Sequence, residues 1–267
     1  MATGRATDEQ RLAFGRVAEL YDRARPSYPA AVIDELIEMA GLRPGDQVLE
    51  VGAGTGKLTC LLAVRGLAVL ALEPSAAMAE LARANCQRYP LVEIEQVDFE
   101  RWQPSLPPLP LVVSAQAWHW VTPELRYERA ADALEPGGTL AAIWTLPDWE
   151  HTQLRDRLRN AYRLAAPDLQ GDFPMYPASD PTDMAGDWHA EIEASAGFAE
   201  PEVRKHPWSC SYSTAEYLEL LQTHQDHILL EPATRERLLA AVAAAIDAAG
   251  GEIVLSFVTR LCLARRA

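Results

Sequence analysis

VLEVGAGTG, residues 48–56, is a short apolar run that ends in three glycines separated by single residues. An apolar run of this length bounded by glycine predicts a buried strand followed by a tight turn. Glycine has no Cβ, so Gly52, Gly54 and Gly56 can take positive φ and approach a ligand at little steric cost. KLTCLLAVR at 57–65 predicts a helix whose first N–H groups point toward the same place. The stretch therefore predicts a strand–loop–helix unit that binds a ligand at its loop.

The next apolar stretch, LAVLALE at 67–73, predicts a second strand that ends in Glu73. An acid at this place accepts hydrogen bonds from ribose hydroxyls in nucleotide-binding folds. A phosphate-binding P-loop is excluded, because Val51 replaces its first glycine and Leu58 its hydroxyl residue. A dinucleotide loop is disfavoured, because Lys57 stands where its third glycine is required. S-adenosylmethionine, which has a ribose and no phosphate, is the third candidate ligand.

Strands and helices alternate along the first 145 residues. Strands are predicted at 47–51, 67–73, 92–98, 111–115 and 139–144, with helices at 57–65, 76–86 and 123–134. This alternation is typical of a parallel sheet covered by helices on both faces. Elsewhere the pattern predicts helices at 8–20, 29–39, 149–165, 187–197, from 213 onward and at 232–249, and strands at 203–208 and 252–264. Residues 21–29 and 167–186 are predicted to be links without regular structure.

Composition narrows the classes of protein that fit. The chain has 267 residues, a net charge of −14 and four cysteines without CxxC spacing. An acidic surface repels phosphate backbones, so nucleic acid is not an expected partner. The cysteine spacing indicates neither a disulfide framework nor a metal site. No apolar stretch approaches the roughly 18 residues of a membrane span, and the first residues lack a secretory core. We therefore expect a soluble cytoplasmic protein without a membrane partner.

Five motifs, in order, resemble those of class I S-adenosylmethionine-dependent methyltransferases of the type 11 and trans-aconitate methyltransferase-like group, whose members act on small molecules. They are VLEVGAGTG at 48–56, LALEPSAAM at 71–79, VDFERW at 97–102, SAQAWHWV at 114–121 and LEPGGTLA at 134–141. The resemblance is good over residues 12–145 and vague beyond them.

The resemblance implies a Rossmann-like, seven-stranded, mostly parallel sheet with helices on both faces. A helical cap would come from the N-terminus and from an insertion after the fifth strand. A single domain, 1–267, would comprise an N-terminal helical lid (1–40), a cofactor-binding core (41–145), a substrate-cap insertion (146–200) and C-terminal elements that complete the sheet (201–267).

The resemblance also implies how S-adenosylmethionine would be held. Glu50 and the backbone of the glycine loop would bind its methionine end, Glu73 its ribose, and residues after the second and third strands its adenine. The predicted cofactor-binding residues are Glu50, Gly52, Ala53, Gly54, Gly56, Glu73, Pro74, Ser75, Met78, Asp98, Phe99, Ala115 and Gln116.

Acceptor-binding residues are predicted from two places. One is the aromatic run after the fourth strand, where parallel sheets bind ligands; the other is the N-terminal lid. These residues are Trp118, His119, Trp120, Tyr21, Arg25 and Tyr28. His119 is the candidate general base, because its reference pKa of about 6.5 suits proton removal. Packing of the tryptophans and a surface position for Arg25 are the competing interpretations. No metal is expected.

The sequence thus favours methyl transfer from S-adenosylmethionine to a small-molecule acceptor, by O-methylation of a carboxyl or hydroxyl group. Two alternatives remain at this point. One is a relative of the same fold and cofactor that catalyses a non-methylating reaction. The other is a cofactor-binding partner protein without activity.

Overall fold

The structure is a computed structural model that describes residues 18–104, 107–169, 175–177, 188–195 and 197–267. Most of the helix predicted at 8–20, the first part of the predicted lid, and most of the link predicted at 167–186 lie outside the described residues. So do residues 187 and 196 of the helix predicted at 187–197.

Seven strands within the described residues form one sheet, in the order β3-β2-β1-β4-β5-β7-β6. They are β1 (Gln47–Val51), β2 (Ala68–Leu72), β3 (Val92–Glu95), β4 (Leu109–Ala115), β5 (Leu134–Pro147), β6 (Glu202–Ser213) and β7 (Glu252–Arg265). The first five strands are parallel, and β7 pairs antiparallel with both β5 and β6. This confirms the predicted seven-stranded, mostly parallel sheet.

Helices pack against this sheet in the described part of the chain. They are α1 (Ala18–Ala24), α2 (Ala30–Ala40), α3 (Lys57–Ala63), α4 (Ala76–Cys86), α5 (Pro123–Ala133), α6 (Arg155–Ala165), α7 (Trp188–Ala194), α8 (Thr214–Leu221), α9 (Gln225–Ile228) and α10 (Pro232–Asp247). A 3₁₀ turn spans Trp118–Trp120. The capping box predicted at Ser213 and Glu216 begins α8.

Several predicted bounds were wrong. The helix predicted at 149–165 begins only at Arg155, because the Asp148 carbonyl and carboxylate accept bonds from Thr152 and His151 that close a separate turn. The strand predicted at 203–208 is twice as long, since β6 pairs with β7 along its whole length. The link predicted at 21–29 begins as helix α1.

Apolar side chains fill both faces of the sheet, as expected for a parallel sheet between two helical layers. Neighbouring residues of β1 point to opposite faces, so Leu49 joins one core cluster and Val48 the other. A third cluster, which includes Trp149 and Tyr217, joins α6, α8 and α10 to β6 and β7. Among the described residues, no helix is long and apolar enough to cross a membrane. The division of the chain at residues 40, 145 and 200 stays a prediction.

Candidate functional site

A cavity of about 840 Å³, open solvent at its mouth included, lies at the carboxyl ends of the parallel strands. Its lining residues come from the ends of β1, β2 and β4 and the segments that follow them, from the loop after β3, and from α1 and α4. They are Tyr21, Val51, Gly52, Gly54, Leu72, Glu73, Pro74, Ser75, Met78, Val97, Asp98, Phe99, Glu100, Ala115, Gln116, Ala117, Trp120 and Val121.

The glycine loop forms one wall of the cavity, and Gly52 is its most constrained position. The φ of Gly52 is +75°, and a Cβ there would lie 2.4 Å from the Cβ of Ala117, in the loop after β4. Gly52 and Ala53 both donate backbone hydrogen bonds to the carbonyl of Leu72. The loop is therefore held against β2 on one side and the β4 loop on the other, and only glycine fits between them.

Glu73 joins the glycine loop to the start of α4. Its carboxylate accepts hydrogen bonds from the backbone N–H of Gly54 and that of Ser75, both at 2.8 Å. A carboxylate has about four acceptor positions, so these bonds leave acceptor capacity for a ligand. Burial raises the pKa of Glu73, while the two N–H groups act in the opposite direction. Glu73 thus presents a buried hydrogen-bond acceptor to the cavity.

Glu50 lies behind the glycine loop and does not line the cavity. Its side chain is buried, and it accepts a hydrogen bond from the Thr59 hydroxyl at 2.6 Å. Burial raises the pKa of Glu50 to about 8, and the Thr59 bond offsets part of that effect. Glu50 is therefore largely protonated at neutral pH, a property that the sequence did not indicate.

The end of β4 supports the opposite wall. Gln116 has a φ of +58°, which is uncommon for a residue with a side chain. Its backbone N–H donates to Ile143, and its side-chain amide donates to the carbonyl of Thr145, each at 2.8 Å. Both partners belong to β5, so these bonds hold Gln116 in its unusual conformation at the cavity wall. Such strain is often found at functional sites.

The aromatic run after β4 is divided between the cavity and the core. Trp120 lines the cavity, whereas Trp118 is buried against Phe99 and Tyr127 and does not reach it. His119 Nδ1 accepts a hydrogen bond from the Trp144 indole N–H at 3.4 Å. The predicted aromatic wall therefore includes Trp120 but not Trp118.

His119 is a weaker base than its reference pKa indicates. Burial, helped by the charge of Arg126, lowers the pKa of His119 to about 4, so the reference value expected from sequence was wrong. Because Nδ1 accepts the bond from Trp144, the neutral ring carries its proton on Nε2. His119 also does not line the cavity.

A polar cluster, Arg25, Tyr28, Tyr212, Tyr217 and Asp226, lies where α1 meets β6, α8 and α9. Arg25 donates from Nε to the Thr223 hydroxyl at 2.7 Å and from Nη2 to the Thr223 carbonyl at 3.0 Å. Burial lowers its pKa, while the charge of Asp226 acts in the opposite direction. Among the described atoms, the buried hydroxyl of Tyr217 has no hydrogen-bond partner, whereas the Tyr212 hydroxyl interacts with the Cys210 thiol. The cluster thus holds a partly buried cation and one buried phenol donor without a partner in the described part of the chain.

Tyr21 connects this polar cluster to the cavity. Its ring lines the cavity and lies 5.0 Å from the guanidinium carbon of Arg25. Tyr28 interacts electrostatically with Arg25 and with Glu50, and burial raises its pKa. Of the predicted acceptor residues in this segment, Tyr21 lines the cavity, whereas Arg25 and Tyr28 do not. The sequence carries no signal for their partners on β6, α8 and α9. Thr223 follows Arg25 by 198 residues, and no local pattern connects the two.

The structure brings most of the predicted cofactor residues to one cavity. Ten of the thirteen line it, and Glu50, Ala53 and Gly56 do not. Several lining residues are not among those predicted from sequence. Of these, Val51 ends a predicted strand and Leu72 precedes the last residue of another, so the rule that ligands bind at strand ends could have found both. Glu100 and Val121 had no such signal; the Glu100 carboxylate accepts two bonds from Thr122 that join the β3 loop to α5. Among the described residues, no three metal-ligating side chains form a group.

Comparisons with known proteins agree with this architecture. Residues 48–138 match the methyltransferase domain family. Over 139 residues the chain is 39% identical to an uncharacterised methyltransferase of Mycobacterium tuberculosis, a match that covers 51% of this chain and 54% of the relative. The chain thus spans about half the length of these curated relatives.

Two solved structures extend the likeness to nearly the whole chain. One, a protein of Anaeromyxobacter dehalogenans assigned as a type II methyltransferase, has a TM-score of 0.64 and 25% identity, covering 91% of this chain and 97% of that chain. The other is phosphoethanolamine N-methyltransferase 2 of Haemonchus contortus, in complex with phosphomonomethylethanolamine and S-adenosylhomocysteine. Its TM-score is 0.52 at 14% identity, covering 94% of this chain and 57% of that chain, and this likeness concerns the fold alone.

Proposed function

We propose that this chain, a class I S-adenosylmethionine-dependent methyltransferase, transfers a methyl group to a small acidic acceptor. The observation that carries the proposal is the junction of Gly52, Gly54 and Glu73 at the carboxyl end of the sheet. There Gly52 leaves no room for a Cβ, and a buried carboxylate keeps free acceptor positions toward the cavity. Ligands of open parallel sheets bind at this edge.

The residues present fit S-adenosylmethionine. Glu73 would accept the ribose hydroxyls, and the glycine loop would hold the methionine end with Glu50 behind it. Asp98, Phe99 and Met78, which line one region of the cavity, would enclose the adenine. The Haemonchus contortus methyltransferase, whose fold is similar, is in complex with S-adenosylhomocysteine, the demethylated product. This supports the same choice of cofactor for this chain.

The cofactor supplies an activated methyl group on a sulfonium. What the protein adds is placement, because holding two reactants in line contributes up to about 7–11 kcal/mol. Tyr21, Gln116 and Trp120 lie on the cavity wall from which an acceptor would approach. The bonds from Gln116 to β5 keep that wall rigid.

The polar cluster favours an acceptor with a carboxylate. Arg25 is a partly buried cation whose side-chain hydrogen bonds within the described residues go to Thr223, an uncharged residue, and whose acidic neighbour in the cluster is Asp226. Tyr217 offers a further donor in the same cluster. Charge-assisted bonds from arginine to carboxylate are among the stronger polar contacts in proteins, so we assign this cluster to the acceptor.

Methylation of a carboxylate also requires no general base. A hydroxyl must lose its proton on methylation, whereas a carboxylate has none to lose. Because His119 has a pKa of about 4 and lies off the cavity, it is poorly suited to remove a proton at neutral pH. O-methylation of a carboxylate, which yields a methyl ester, is therefore our preferred reaction.

Calorimetry tests the cofactor first. S-Adenosylhomocysteine should bind to the purified chain, and NAD should not bind measurably. The opposite result would remove the cofactor assignment and with it the whole proposal.

Transfer is tested with methyl-labelled S-adenosylmethionine and a panel of small carboxylic acids, each paired with its amide. We expect label to enter the acids only, in a product that releases labelled methanol when treated with base. Base-stable label would indicate an ether or amine product and overturn the carboxylate assignment. Cofactor binding without release of S-adenosylhomocysteine, even with cell extract as acceptor source, would instead indicate a non-methylating relative.

A further inference from the structure

Two cysteines meet beneath the glycine loop, although 26 positions separate them in the sequence. Cys60 lies on α3 and Cys86 ends α4, and their Sγ atoms are 2.9 Å apart. Formation of a disulfide, whose S–S bond is about 2.05 Å, needs the sulfurs to approach by only about 0.9 Å more. Cys86 is buried, and Cys60 is partly exposed to solvent.

The surroundings favour Cys60 as the reactive member of the pair. The contact with the Cys86 thiol lowers the pKa of Cys60, and the charges of Arg88 and Lys57 act in the same direction, against burial and the charge of Asp22. The same contact, with burial, raises the pKa of Cys86. The thiolate is the nucleophile in thiol chemistry, so a soluble oxidant meets a nucleophile at Cys60 with a buried partner thiol beside it.

The contact with the glycine loop is close but indirect. The Sγ of Cys86 lies 3.9 Å from the carbonyl oxygen of Gly56, and the Asn85 amide donates to the carbonyl of Thr55 at 2.9 Å. Neither sulfur lines the cavity. A cross-link here joins α3 to the end of α4 without entering the ligand site.

We propose that Cys60 and Cys86 are a modification site, at which a low-molecular-weight disulfide converts the two thiols into a reversible intramolecular disulfide. The Cys60 thiolate attacks one sulfur of the oxidant, so a mixed disulfide forms and one thiolate leaves. Cys86 then loses its proton to solvent and attacks Cys60 Sγ, and the second thiolate leaves. The protein is oxidised by two electrons, and the oxidant is reduced to two thiols. Disulfides in reducing compartments are usually of this transient kind.

Oxidised glutathione is the probe for this test. After treatment, unfolding and alkylation, the wild-type chain should retain two of its four cysteines as free thiols, and a Cys60–Cys86 peptide should appear in the digest. Cys60→Ser and Cys86→Ser should abolish the cross-link, and Cys86→Ser should carry glutathione on Cys60. Cys210→Ser, at a partly exposed cysteine of β6, is the matched control and should form the cross-link like wild type.

A second readout does not depend on labelling. Cross-linking positions 26 residues apart restricts the unfolded chain, so the oxidised wild type should melt about 5 °C or more above the reduced form. Dithiothreitol should reverse the shift. Treated wild type with four free thiols, or with glutathione on Cys60 and no internal link, would overturn the proposal. Neither readout uses methyl transfer, so the result is independent of the proposed function.

Discussion

Glu73 holds two backbone N–H groups, from Gly54 and Ser75, at 2.8 Å and still faces the cavity. Glu73→Gln keeps the shape of the side chain but exchanges one acceptor oxygen for a donor. We expect the dissociation constant for S-adenosylhomocysteine to rise at least tenfold, about 1.4 kcal/mol, by calorimetry. Glu80→Gln, on the exposed side of α4, is the control and should bind like wild type. Equal binding by both variants would move the ribose site elsewhere.

Arg25 and Arg23 lie two residues apart but differ in surroundings. Arg23 is exposed and pairs with Glu219, whereas Arg25 is in the polar cluster. Loss of a bond to a charged group costs roughly 1.5–3 kcal/mol. We therefore expect Arg25→Gln to raise KM for the carboxylate acceptor by about 10- to 100-fold, with S-adenosylhomocysteine affinity within about twofold of wild type.

Arg23→Gln should leave both quantities within about twofold of wild type. If Arg25 only pins α1 to Thr223, its variant should instead lose melting temperature while KM for the acceptor stays unchanged. Such a result would remove the cluster from the acceptor site.

At the scale of elements, the join between the β1 loop and the β4 loop depends on Gly52. A Cβ at Gly52 would meet Ala117 at 2.4 Å, whereas one at Gly41, whose φ of +69° is similar, would meet nothing within 4 Å. Gly41→Ala thus isolates the backbone penalty of positive φ, about 1–2 kcal/mol. Gly52→Ala should cost about 1–3 kcal/mol more in urea unfolding, because the two loops must separate.

Gly52→Ala should also weaken S-adenosylhomocysteine binding at least tenfold, while Gly41→Ala binds normally. Equal stability of the two variants would contradict the close approach of the loops. Normal cofactor binding by a destabilised Gly52→Ala would restrict Gly52 to a packing role.

The 3₁₀ turn after β4 sends its two tryptophans in different directions. Trp118→Phe should lower the melting temperature and leave S-adenosylhomocysteine affinity nearly unchanged, because Trp118 is buried away from the cavity. Trp120→Phe should instead weaken S-adenosylhomocysteine binding and leave the melting temperature nearly unchanged, since Trp120 lines the cavity. Thermal melts and calorimetry on the pair provide the test, and matching profiles for the two variants would contradict the division.

For the whole molecule, Glu50 makes stability depend on pH. Its pKa rises from an ordinary 4.5 to about 8 in the folded chain, so the folded state binds a proton that the unfolded state has released. The stability that this proton provides is complete below about pH 4.5 and is lost as pH rises through about 8. Glu50→Gln does not titrate, and its amide can still accept from Thr59.

The difference in unfolding free energy, variant minus wild type, should therefore grow by up to about 1.4 kcal/mol per pH unit between pH 5 and 8. Urea unfolding at one-unit intervals measures this difference. Groups common to both proteins cancel in it, including His119, whose lowered pKa acts in the opposite direction below neutral pH. A difference that does not change with pH would show that Glu50 is ionised in the folded chain.

Much of the fold was determined by local sequence. Alternation of short apolar runs with helical patterns predicted the parallel core, because residues close in the chain set the period and turn chemistry of each element. The glycines at 52–56 and Glu73 could be found in the same way, since they mark the ends of strands. The predicted ends of an element were wrong where pairing with a distant strand determines its length. An example is β6, which extends along β7 to Ser213.

Tertiary structure alone decided the chemistry around that core. It brought Arg25 to Thr223 and Cys60 to Cys86, buried Trp118 while Trp120 faces the cavity, and moved the pKa of Glu50 up and that of His119 down. Each outcome depends on contacts between segments distant in sequence and on the burial those contacts create. The sequence does not show which distant residues a charge, a thiol or an indole will contact. These properties are therefore set only when the chain folds and packs.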